Sequence, residues 1–368
     1  MKKILIKTLK IFLCLLLALL LFVAGGLGVL TILEYRPAEV EELAPETVCD
    51  RSDTPAAGDT LKLVTWNIGY GALGDNADFF MDGGSMVYTA DRTRLAQNLE
   101  HIRDTLEELS PDVLFVQEID RDSDRSYHTE EVRYLSGDRA DPTGLTGMSF
   151  VFANNFRASF VPYPIPPIGR VNSGILTGTA WPIASAQRIQ LPCPFSWPVR
   201  IANLKRCLLV TRIPVTDSDK ELVLVNLHLE AFDDGEGKIA QTAQLAELLK
   251  KERDAGNYVI AGGDFNQTFS NIDNSAYPEL PGKWHSGWID VSALGDGFTC
   301  IMDPRTPSGR SLDQSLTGAA EKDPAHFQYY VLDGFIVTDN ISVESCDVID
   351  LGFKYSDHNP LQVSVMLH

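Results

Sequence analysis

The sequence is short of positive charge. Its 368 residues include 31 Lys and Arg against 50 Asp and Glu, a formal net charge of -19. The summed field of such a chain repels polyanions unless a local basic patch or bound cations reverse it. Affinity for nucleic acid comes largely from Lys and Arg that neutralise phosphates. The composition therefore disfavours nucleic acid as a partner and fits a divalent metal better.

Cysteine is also scarce. The chain has six cysteines, and no two of them are spaced as CxxC, so a zinc site of that kind has no support. Cys14 lies inside a long apolar run. The five other cysteines cannot all form disulfides with one another, because their number is odd. Cys193 and Cys207 could close a small loop, or both could be buried thiols.

Charge is missing altogether from one N-terminal run. Four lysines precede 23 mostly apolar, uncharged residues from Ile11 to Leu33. At about 1.5 Å rise per residue, a helix of that length matches the core of a bilayer, and a buried helix of a soluble domain would show a polar face. We therefore predict a cytoplasmic stub and transmembrane anchor at residues 1–34.

The lysines before the anchor are expected to stay in the cytoplasm. This predicts a single-pass protein of the cell membrane whose remaining residues lie on the outer side. A cleaved signal peptide is the alternative, although its apolar region is usually only about 7–15 residues long and no small-x-small cleavage site follows the run.

Residues 35–60 are rich in Pro, Glu, Ala and Asp with little apolar periodicity, which predicts a linker. From residue 61 to 368 short apolar runs recur between turn residues, a pattern typical of strands. About nine such runs occur: LKLVTWNI, DVLFVQEI, SFVFANN, SGILTG, CLLVTRIPV, ELVLVNLHL, YVIAGGDF, YVLDGFIV and PLQVSVML.

Two segments have helical spacing instead. Asp91 to Leu109 places leucines and an isoleucine at intervals of three and four, and Lys238 to Lys251 repeats the pattern with Ile239, Leu245 and Leu248–Leu249. Many strands with interspersed amphipathic helices predict an α/β fold in which two sheets pack face to face with helices outside. The stretch from Asn271 to Tyr329 is dense in Gly, Pro, Ser and Asp, and predicts a surface excursion that could contact substrate.

Polar residues that can bind metal or phosphate follow many of the strand-like runs. They are Asn67, Glu118, His228, Asp264, Asn266, Asp333, Asp357 and His358. Each alone has an ordinary structural explanation, such as a turn or a buried, hydrogen-bonded histidine. Because catalytic groups collect in loops at strand ends, their joint occurrence at that one kind of position predicts a single convergent site.

This set fits hydrolysis of a phosphate ester. Mg²⁺ prefers oxygen ligands, so Glu118, with Asn67 and Asp357, would suit it. Asp264 would handle the proton or the water. Asn266 and His228 would hydrogen-bond oxygens whose charge grows in the transition state.

His358 would need a carboxylate on its other ring nitrogen, and Asp333 is the candidate.

At these residues the sequence resembles the endonuclease/exonuclease/phosphatase superfamily, the fold of deoxyribonuclease I. The matching stretches appear in the family's order between Leu61 and Leu367: TWNIGYG, VQEID, NSGILT, VNLHLEAF, GGDFNQT, LDGFIV and YSDHNPLQVSVML. The resemblance implies a four-layer sandwich of two packed mixed β-sheets flanked by helices, with magnesium or manganese as cofactor.

Position by position, the resemblance implies that Glu118 binds the metal with Asn67 and Asp357 beside it. It implies that His228 contacts phosphate, that Asp264 and Asn266 position the nucleophile, and that Asp333 supports His358. Asn172 of NSG would lie near the phosphate. Some abasic-site nucleases of the family have an acidic residue where this chain has Gly69, which weakens a DNA-repair role.

A metal-dependent phosphodiesterase acting on a lipid head-group or small phosphodiester is the favoured function, because the anchor holds the domain close to a membrane. An extracytoplasmic nuclease is the alternative. The basic residues Arg200, Lys205, Arg206 and Arg212 could bind its phosphates, although such a small cluster is more often a solvated edge. A non-catalytic surface protein that binds a partner is the third hypothesis.

Overall fold

The computed structural model describes residues 2–137, 145–233, 235–317 and 327–368. Its helices are α1 Lys2–Ile32, α2 Arg92–Leu109, α3 Glu131–Ser136 and α4 Glu236–Asp254. Its strands are β1 Val40–Leu43, β2 Thr60–Asn67, β3 Val113–Asp120, β4 Ser149–Val161, β5 Gly169–Thr179, β6 Ser185–Gln190, β7 Cys207–Pro214, β8 Glu221–His228, β9 Tyr258–Asp264, β10 Gln267–Phe269, β11 Gly287–Ile289, β12 Phe298–Ile301, β13 Gly309–Arg310, β14 Tyr329–Tyr330, β15 Asp333–Thr338, β16 Ile341–Val348 and β17 Leu361–Leu367. Short 3₁₀ helices lie at Gly69–Gly71, Phe80–Asp82, Asp124–Ser126, Val199–Ala202 and Val291–Leu294.

Two mixed β-sheets form the centre of the molecule. One has the strand order β1-β6-β7-β8-β9-β15-β12 and the other the order β16-β17-β2-β3-β5-β4. Each sheet contains one parallel pair, β8 with β9 and β2 with β3, among antiparallel pairs. All nine apolar runs of the sequence contribute to these strands. The predicted α/β fold with two packed sheets is therefore confirmed.

Three apolar clusters separate four layers. Leu245 and Leu249 of α4 pack on the first sheet, and Ile102 and Leu106 of α2 pack on the second. Between the sheets lies a third cluster, which includes Phe115. The order helix, sheet, sheet, helix confirms the predicted four-layer sandwich.

Helix α2 begins where the sequence predicts it. The Asp91 carboxylate accepts a hydrogen bond of 2.8 Å from the backbone N–H of Arg94, which satisfies one of the free donors of the first turn. Helix α4 differs from the prediction at Ile239, which is 72% exposed. The buried stripe runs through Gly237, Gln241 and Leu245. Two residues turn the helix by about 200°, so Ile239 faces away from that stripe.

The segment predicted as a linker is partly built into the fold. Val40–Leu43 pairs antiparallel with β6, Thr47 forms a bridge with Phe150, and Cys49 is buried. The expectation of a free tether is wrong for these residues. A segment can pair with the edge of a sheet through backbone hydrogen bonds alone, without apolar periodicity in its side chains. The sequence pattern therefore gives little sign of such a strand.

Helix α1 is long and apolar enough to cross a membrane. Its mean hydropathy is 2.8 over a window of 18 consecutive residues. None of that window is buried against the rest of the chain. All six cysteines, which lie among the described residues, are free, so Cys193 and Cys207 do not close a loop.

Candidate active site

Three predicted site residues lie side by side at one end of the seven-stranded sheet. His228 ends β8 and is in register with Asp264, which ends the parallel strand β9. Asp333 begins β15 and is in register with Asp264 from the other side. Sheet register alone therefore brings together three residues that are spread over 105 positions of the sequence, from His228 to Asp333.

The six-stranded sheet contributes Asn67 at the end of β2 and Glu118 near the end of β3. The side-chain amide of Asn67 donates hydrogen bonds of 3.1 Å to Glu118 Oε1 and 3.1 Å to Asp264 Oδ2. It thereby joins the two sheets at the site. Its Oδ1 accepts from the backbone N–H of Gly69 at 3.1 Å. Asn67 therefore lies beside Glu118, and its role as a metal ligand stays a prediction.

Asp264 lies at the centre of the cluster. Its Oδ1 accepts a 2.8 Å hydrogen bond from the backbone N–H of Asn266. Its Oδ2 lies 3.4 Å from Nε2 of His228 and 3.7 Å from Nε2 of His358. Burial raises the pKa of Asp264, and the positive charge of His358 opposes that rise.

His358 and Asp333 form the predicted dyad. His358 Nδ1 lies 2.8 Å from Asp333 Oδ2, and both side chains are buried. Burial alone would lower the pKa of His358, but the neighbouring carboxylates Asp333, Asp264 and Asp357 hold it well above its usual value. These carboxylates therefore favour the protonated, positively charged form of the His358 ring.

His228 has the opposite electrostatic character. Burial lowers its pKa well below the usual value, and the charges of Arg206 and His358 lower it further. Its Nδ1 is buried and has no hydrogen-bond partner among the residues that the structure describes. A neutral histidine can accept a hydrogen bond at one ring nitrogen, whereas a charged histidine donates from both. The two neighbouring rings can therefore play different hydrogen-bonding roles.

The carboxylates of Glu118 and Asp357 have an environment that suits a divalent cation. Burial raises the pKa of both groups, and the charge of Asp357 raises that of Glu118 further. A bound cation would remove this repulsion, and carboxylate oxygens are the ligands that Mg²⁺ and Mn²⁺ prefer. These two residues therefore fit the metal expected of this family.

A second cluster of potential ligand atoms is formed by Asp264, Asp333 and His358, whose candidate atoms lie within 4.8 Å of one another. The hydrogen bond between His358 and Asp333 already occupies the ring nitrogen nearest to that carboxylate. A positively charged imidazole also has no lone pair for a metal. Glu118 and Asp357 are accordingly the better metal site.

Backbone strain marks the same place. Glu118, Asn266 and Tyr70 have φ values of 51°, 52° and 42°, in the left-handed region that non-glycine residues rarely adopt. At Glu118 the pairing of β3 with β5 shifts register, so the strand bulges there. Such strain concentrates at functional sites, where it aims a side chain that a regular strand would point elsewhere.

Asn266 is held by its amide, which donates to the backbone oxygen of Leu229 at 2.9 Å. Its side chain borders the cavity together with the other clustered residues. Asn172, by contrast, is not brought to the cavity. Its Oδ1 accepts a 2.7 Å hydrogen bond from Asn154, and its neighbour Ser173 borders the cavity instead. Side chains alternate along a strand, so a one-residue offset changes the face.

The cavity at this site has a volume of about 340 Å³. The polar cluster lines it together with other charged residues and a set of apolar side chains. That apolar set includes Leu73, Phe79, Met81, Phe156, Ile168, Phe195, Phe232, Trp284, Leu312 and Tyr330. Trp284 and Leu312 belong to the predicted surface excursion from Asn271 to Tyr329, as do the cavity residues Lys283 and Arg310.

Several charged residues of the site were not singled out by the sequence. Arg125 lies 2.9 Å from Asp120 and 3.6 Å above the ring of Tyr70, and Arg310 donates to the backbone oxygen of Gly74 at 2.7 Å. Both border the cavity. An isolated arginine in such a short element carries no sequence signal for its position at the cavity.

The sequence left two possibilities for Arg200, Lys205, Arg206 and Arg212, phosphate binding or a solvated edge, and Arg206 does not lie at a solvated edge. It is 3% exposed, borders the cavity, and pairs with Glu230 at 3.2 Å. Arg212 pairs with Glu221 and Glu252 and is not a cavity residue. The basic cluster is therefore divided among separate ion pairs.

Comparison with known proteins gives one family. The sequence profile of the Endonuclease/Exonuclease/phosphatase family matches residues 64–358. None of the curated proteins matches the chain. Among solved structures, an endonuclease/exonuclease/phosphatase from Beutenbergia cavernae is 15% identical with a TM-score of 0.51, covering 84% of this chain and 72% of its own. The human Nocturnin catalytic domain with bound sulfate is 15% identical with a TM-score of 0.50, covering 86% of this chain and 100% of its own. At these identities the likeness supports the fold.

Proposed function

Since the chain belongs to the endonuclease/exonuclease/phosphatase family, whose members hydrolyse phosphoester bonds and generally use divalent metals, we propose that it is a Mg²⁺- or Mn²⁺-dependent phosphodiesterase. The observation that carries the proposal is the convergence of Glu118, Asp264 and His358 on one cavity. A lipid head-group or small phosphodiester is the favoured substrate.

Glu118 and Asp357 would hold the cation, which supplies Lewis-acid stabilisation of charge on phosphoryl oxygens. Asp264 orients the attacking water and accepts its proton, since its carboxylate is the acceptor at the centre of the cluster. The raised pKa of Asp264 brings it closer to that of an effective base.

His358 stabilises negative charge on the phosphoryl oxygens, because Asp333 keeps it protonated and fixes its ring. His228 is neutral and presents a hydrogen bond without adding charge. Asn266 is held in place through Leu229 and offers its second amide hydrogen to the same phosphate.

The walls of the cavity support the favoured substrate over a nucleic acid. Aromatic and aliphatic side chains line the cavity together with the polar cluster, as expected of a site for a small or amphipathic molecule. The net charge of -19 opposes a long polyanion. Arg125, Arg206 and Arg310 border the cavity and could contact phosphates, which keeps an extracytoplasmic nuclease as the second candidate.

We expect the catalytic part to lie on the outer side of the membrane, since lysines precede the apolar helix. A protease-protection assay on spheroplasts tests this orientation. Degradation of the catalytic part by added protease supports it, and protection contradicts it.

The function is tested with the full chain in lipid nanodiscs and Mg²⁺. Substrates are bis-p-nitrophenyl phosphate, phosphatidylcholine and sphingomyelin head-groups, inositol phosphates and plasmid DNA. We expect EDTA-sensitive turnover of bis-p-nitrophenyl phosphate, phosphatidylcholine and sphingomyelin. Asp264→Asn and His358→Ala should each reduce this turnover at least about 100-fold. Plasmid nicking with the same sensitivity would favour the nuclease. A folded chain with no EDTA-sensitive turnover would point to a binding protein.

A further inference from the structure

Exposed apolar side chains form a rim beside the cavity. We use the name apolar rim for Met81, Phe160, Tyr163, Ile165, Trp197 and Val199. Ile165 is 95% exposed and Tyr163 is 69% exposed, at the turn between β4 and β5. Met81 borders the cavity, and so do Phe156 on β4 and Ile168 at the end of that turn. Large apolar side chains clustered at the edge of a site indicate an interaction surface.

One small core holds these residues together. Val161, Ile168 and Phe80 belong to a cluster against which Ala202, at the end of the Val199–Ala202 helix, also packs. The rings of Phe80 and Tyr163 are 5.7 Å apart. Neighbours of the rim residues in three segments of the chain therefore share one small core.

The rim adjoins the end of the membrane helix. Nε1 of Trp197 donates a hydrogen bond of 3.2 Å to Oγ1 of Thr31, in the last turn of α1. Glu34 lies 3.2 Å from Arg200 and 3.5 Å from Lys205. The loop that carries Trp197 also supplies Phe195 and Leu204 to the cavity wall. The cavity wall and the point where the helix leaves the membrane are thus connected by a single loop.

The turn between β4 and β5 has a backbone suited to an apolar surface. Four of the six residues from Pro162 to Pro167 are prolines, which have no N–H to desolvate. An unsatisfied backbone donor is costly in lipid, so its removal lowers the penalty for insertion. Tyrosine and tryptophan, both present in the rim, are the residues enriched at membrane surfaces.

We propose that the apolar rim lies in the membrane surface beside the end of α1 and brings the cavity to the lipids of that leaflet. The surface is a bilayer and not a protein partner, because the rim continues directly from the helix that crosses it. Apolar contact drives the docking, since the net charge of the chain opposes attraction to anionic lipids. The consequence, which rests on the proposed function, is that the substrate is an amphipathic phosphodiester drawn from the same leaflet.

Tryptophan quenching by lipids brominated on their acyl chains tests the docking. The full chain is placed in phosphatidylcholine nanodiscs with one copy in each. Helix α1 contains no tryptophan, so it adds no signal. In a Trp197→Phe background, a new tryptophan is introduced at the rim by Tyr163→Trp or at a control position by Val48→Trp.

Val48 is a matched control because it is 59% exposed and lies at the other end of β4. The adjacent Cys49 donates to Ser149, the first residue of that strand, whereas the turn of the rim follows Val161. Twelve residue steps of strand correspond to about 40 Å. We expect brominated lipid to reduce the added fluorescence of Tyr163→Trp at least twofold, to leave that of Val48→Trp unchanged, and to act equally at 50 mM and 500 mM salt.

Equal quenching at both positions, or none at Tyr163→Trp, would overturn the proposal. No quenching of Tyr163→Trp in single-copy discs, together with a blue shift of its emission only at higher copy number, would assign the rim to a second copy of the chain. Quenching that disappears at high salt would show electrostatic attachment and would also overturn it.

A kinetic measurement tests the consequence separately. Ile165→Asp places a charge in the rim, while Val48→Asp serves as its control. We expect Ile165→Asp to lower turnover of bilayer phosphatidylcholine at least fivefold and to leave hydrolysis of bis-p-nitrophenyl phosphate unchanged. If neither substrate is hydrolysed, the proposed function fails and the quenching result still stands. If Ile165→Asp hydrolyses each of the two substrates as fast as the wild type does, the link between rim and substrate is refuted.

Discussion

At the scale of single residues, the charges around the cavity are fixed by their buried partners. Arg206 and Glu230 are each 3% exposed and 3.2 Å apart. Arg206 also donates to the backbone oxygen of His228 at 3.1 Å, so this ion pair supports the strand end that carries a site residue. A buried pair need not add stability over an apolar replacement, but removal of one partner leaves a costly unpaired charge.

Glu230→Gln should therefore destabilise the chain by about 3–5 kcal/mol at pH 7. Burial alone would raise the pKa of Glu230, but Arg206 and the backbone N–H groups of Phe232 and Ala231 lower it below its usual value. A lowered folded-state pKa means that the stabilisation is present above the unfolded pKa of about 4.3 and is lost as pH falls through the lower folded value.

Urea unfolding of the detergent-solubilised chain at several pH values checks this. The difference between wild type and Glu230→Gln should be largest near neutral pH and shrink steadily in acid. Glu247→Gln on the exposed face of α4 should show little change at any pH. A penalty that is the same in acid and at neutral pH would contradict the assignment.

Glu118→Gln should raise the Mg²⁺ concentration needed for half-maximal activity at least about tenfold, because it removes a charged oxygen ligand. Calorimetric titration with Mn²⁺ should show the same weakening without substrate. Glu130→Gln is the control, since Glu130 is a partly buried glutamate that lies 3.8 Å from Arg121 and away from the cavity. Unchanged metal affinity in Glu118→Gln would remove Glu118 from the metal site.

At the scale of the elements, the site depends on how closely β8 and β9 approach. Gly263 precedes Asp264 and has a φ of 146°. A Cβ placed there would lie 2.0 Å from the backbone oxygen of Leu227, its register partner on β8. A backbone oxygen held in a sheet cannot move aside cheaply, so the glycine is required by contact as well as by conformation.

Gly263→Ala should lower the free energy of unfolding by roughly 3 kcal/mol or more, through overpacking and a strained φ together. Activity should fall further than stability explains, because the strand end that carries Asp264 must shift. Thermal unfolding and initial rates measure the two effects. Gly282→Ala, also at positive φ but with open space around it, should cost only about 1 kcal/mol. Similar effects from the two substitutions would refute the close-approach argument.

At the scale of the whole molecule, a polar link inside the core holds the two sheets in alignment. Nε2 of Gln117 on β3 donates to Oδ1 of Asn226 on β8 at 2.8 Å, and Asn226 donates to the backbone oxygen of Leu176 at 2.9 Å. Gln117 directly precedes Glu118, and Asn226 lies two positions before His228. The link therefore sets the distance between the halves of the site contributed by each sheet.

Asn226→Ala should cost roughly 2–4 kcal/mol, because it leaves buried partners of Asn226 without a hydrogen bond. In a double-mutant cycle with Gln117→Ala, the two substitutions should be coupled by about 1 kcal/mol or more. Urea unfolding of the single and double variants measures the coupling. Strictly additive effects would mean that the two amides do not interact across the sheets.

The sequence by itself determined the main strands and the residue types of the site. All nine apolar runs lie in strands, because buried strands need continuous or alternating apolar side chains. It could not indicate β1, β6 or β16. Strands at or next to the edge of a sheet pair through backbone groups and can carry mixed polar side chains, as the SAQRIQ sequence of β6, next to the edge strand β1, does.

Only the tertiary structure decided which polar residues meet. Asp264 contacts Asn67 and His358 through sheet packing and register, and a one-residue change of face removed Asn172 from the cavity. Arg206 gave no sign of burial in the sequence, because its partner Glu230 is 24 positions away in the chain. The contact between Trp197 and the end of α1 likewise joins residues 166 positions apart. Local propensity acts over a few residues, whereas these contacts depend on how the sheets and loops pack together.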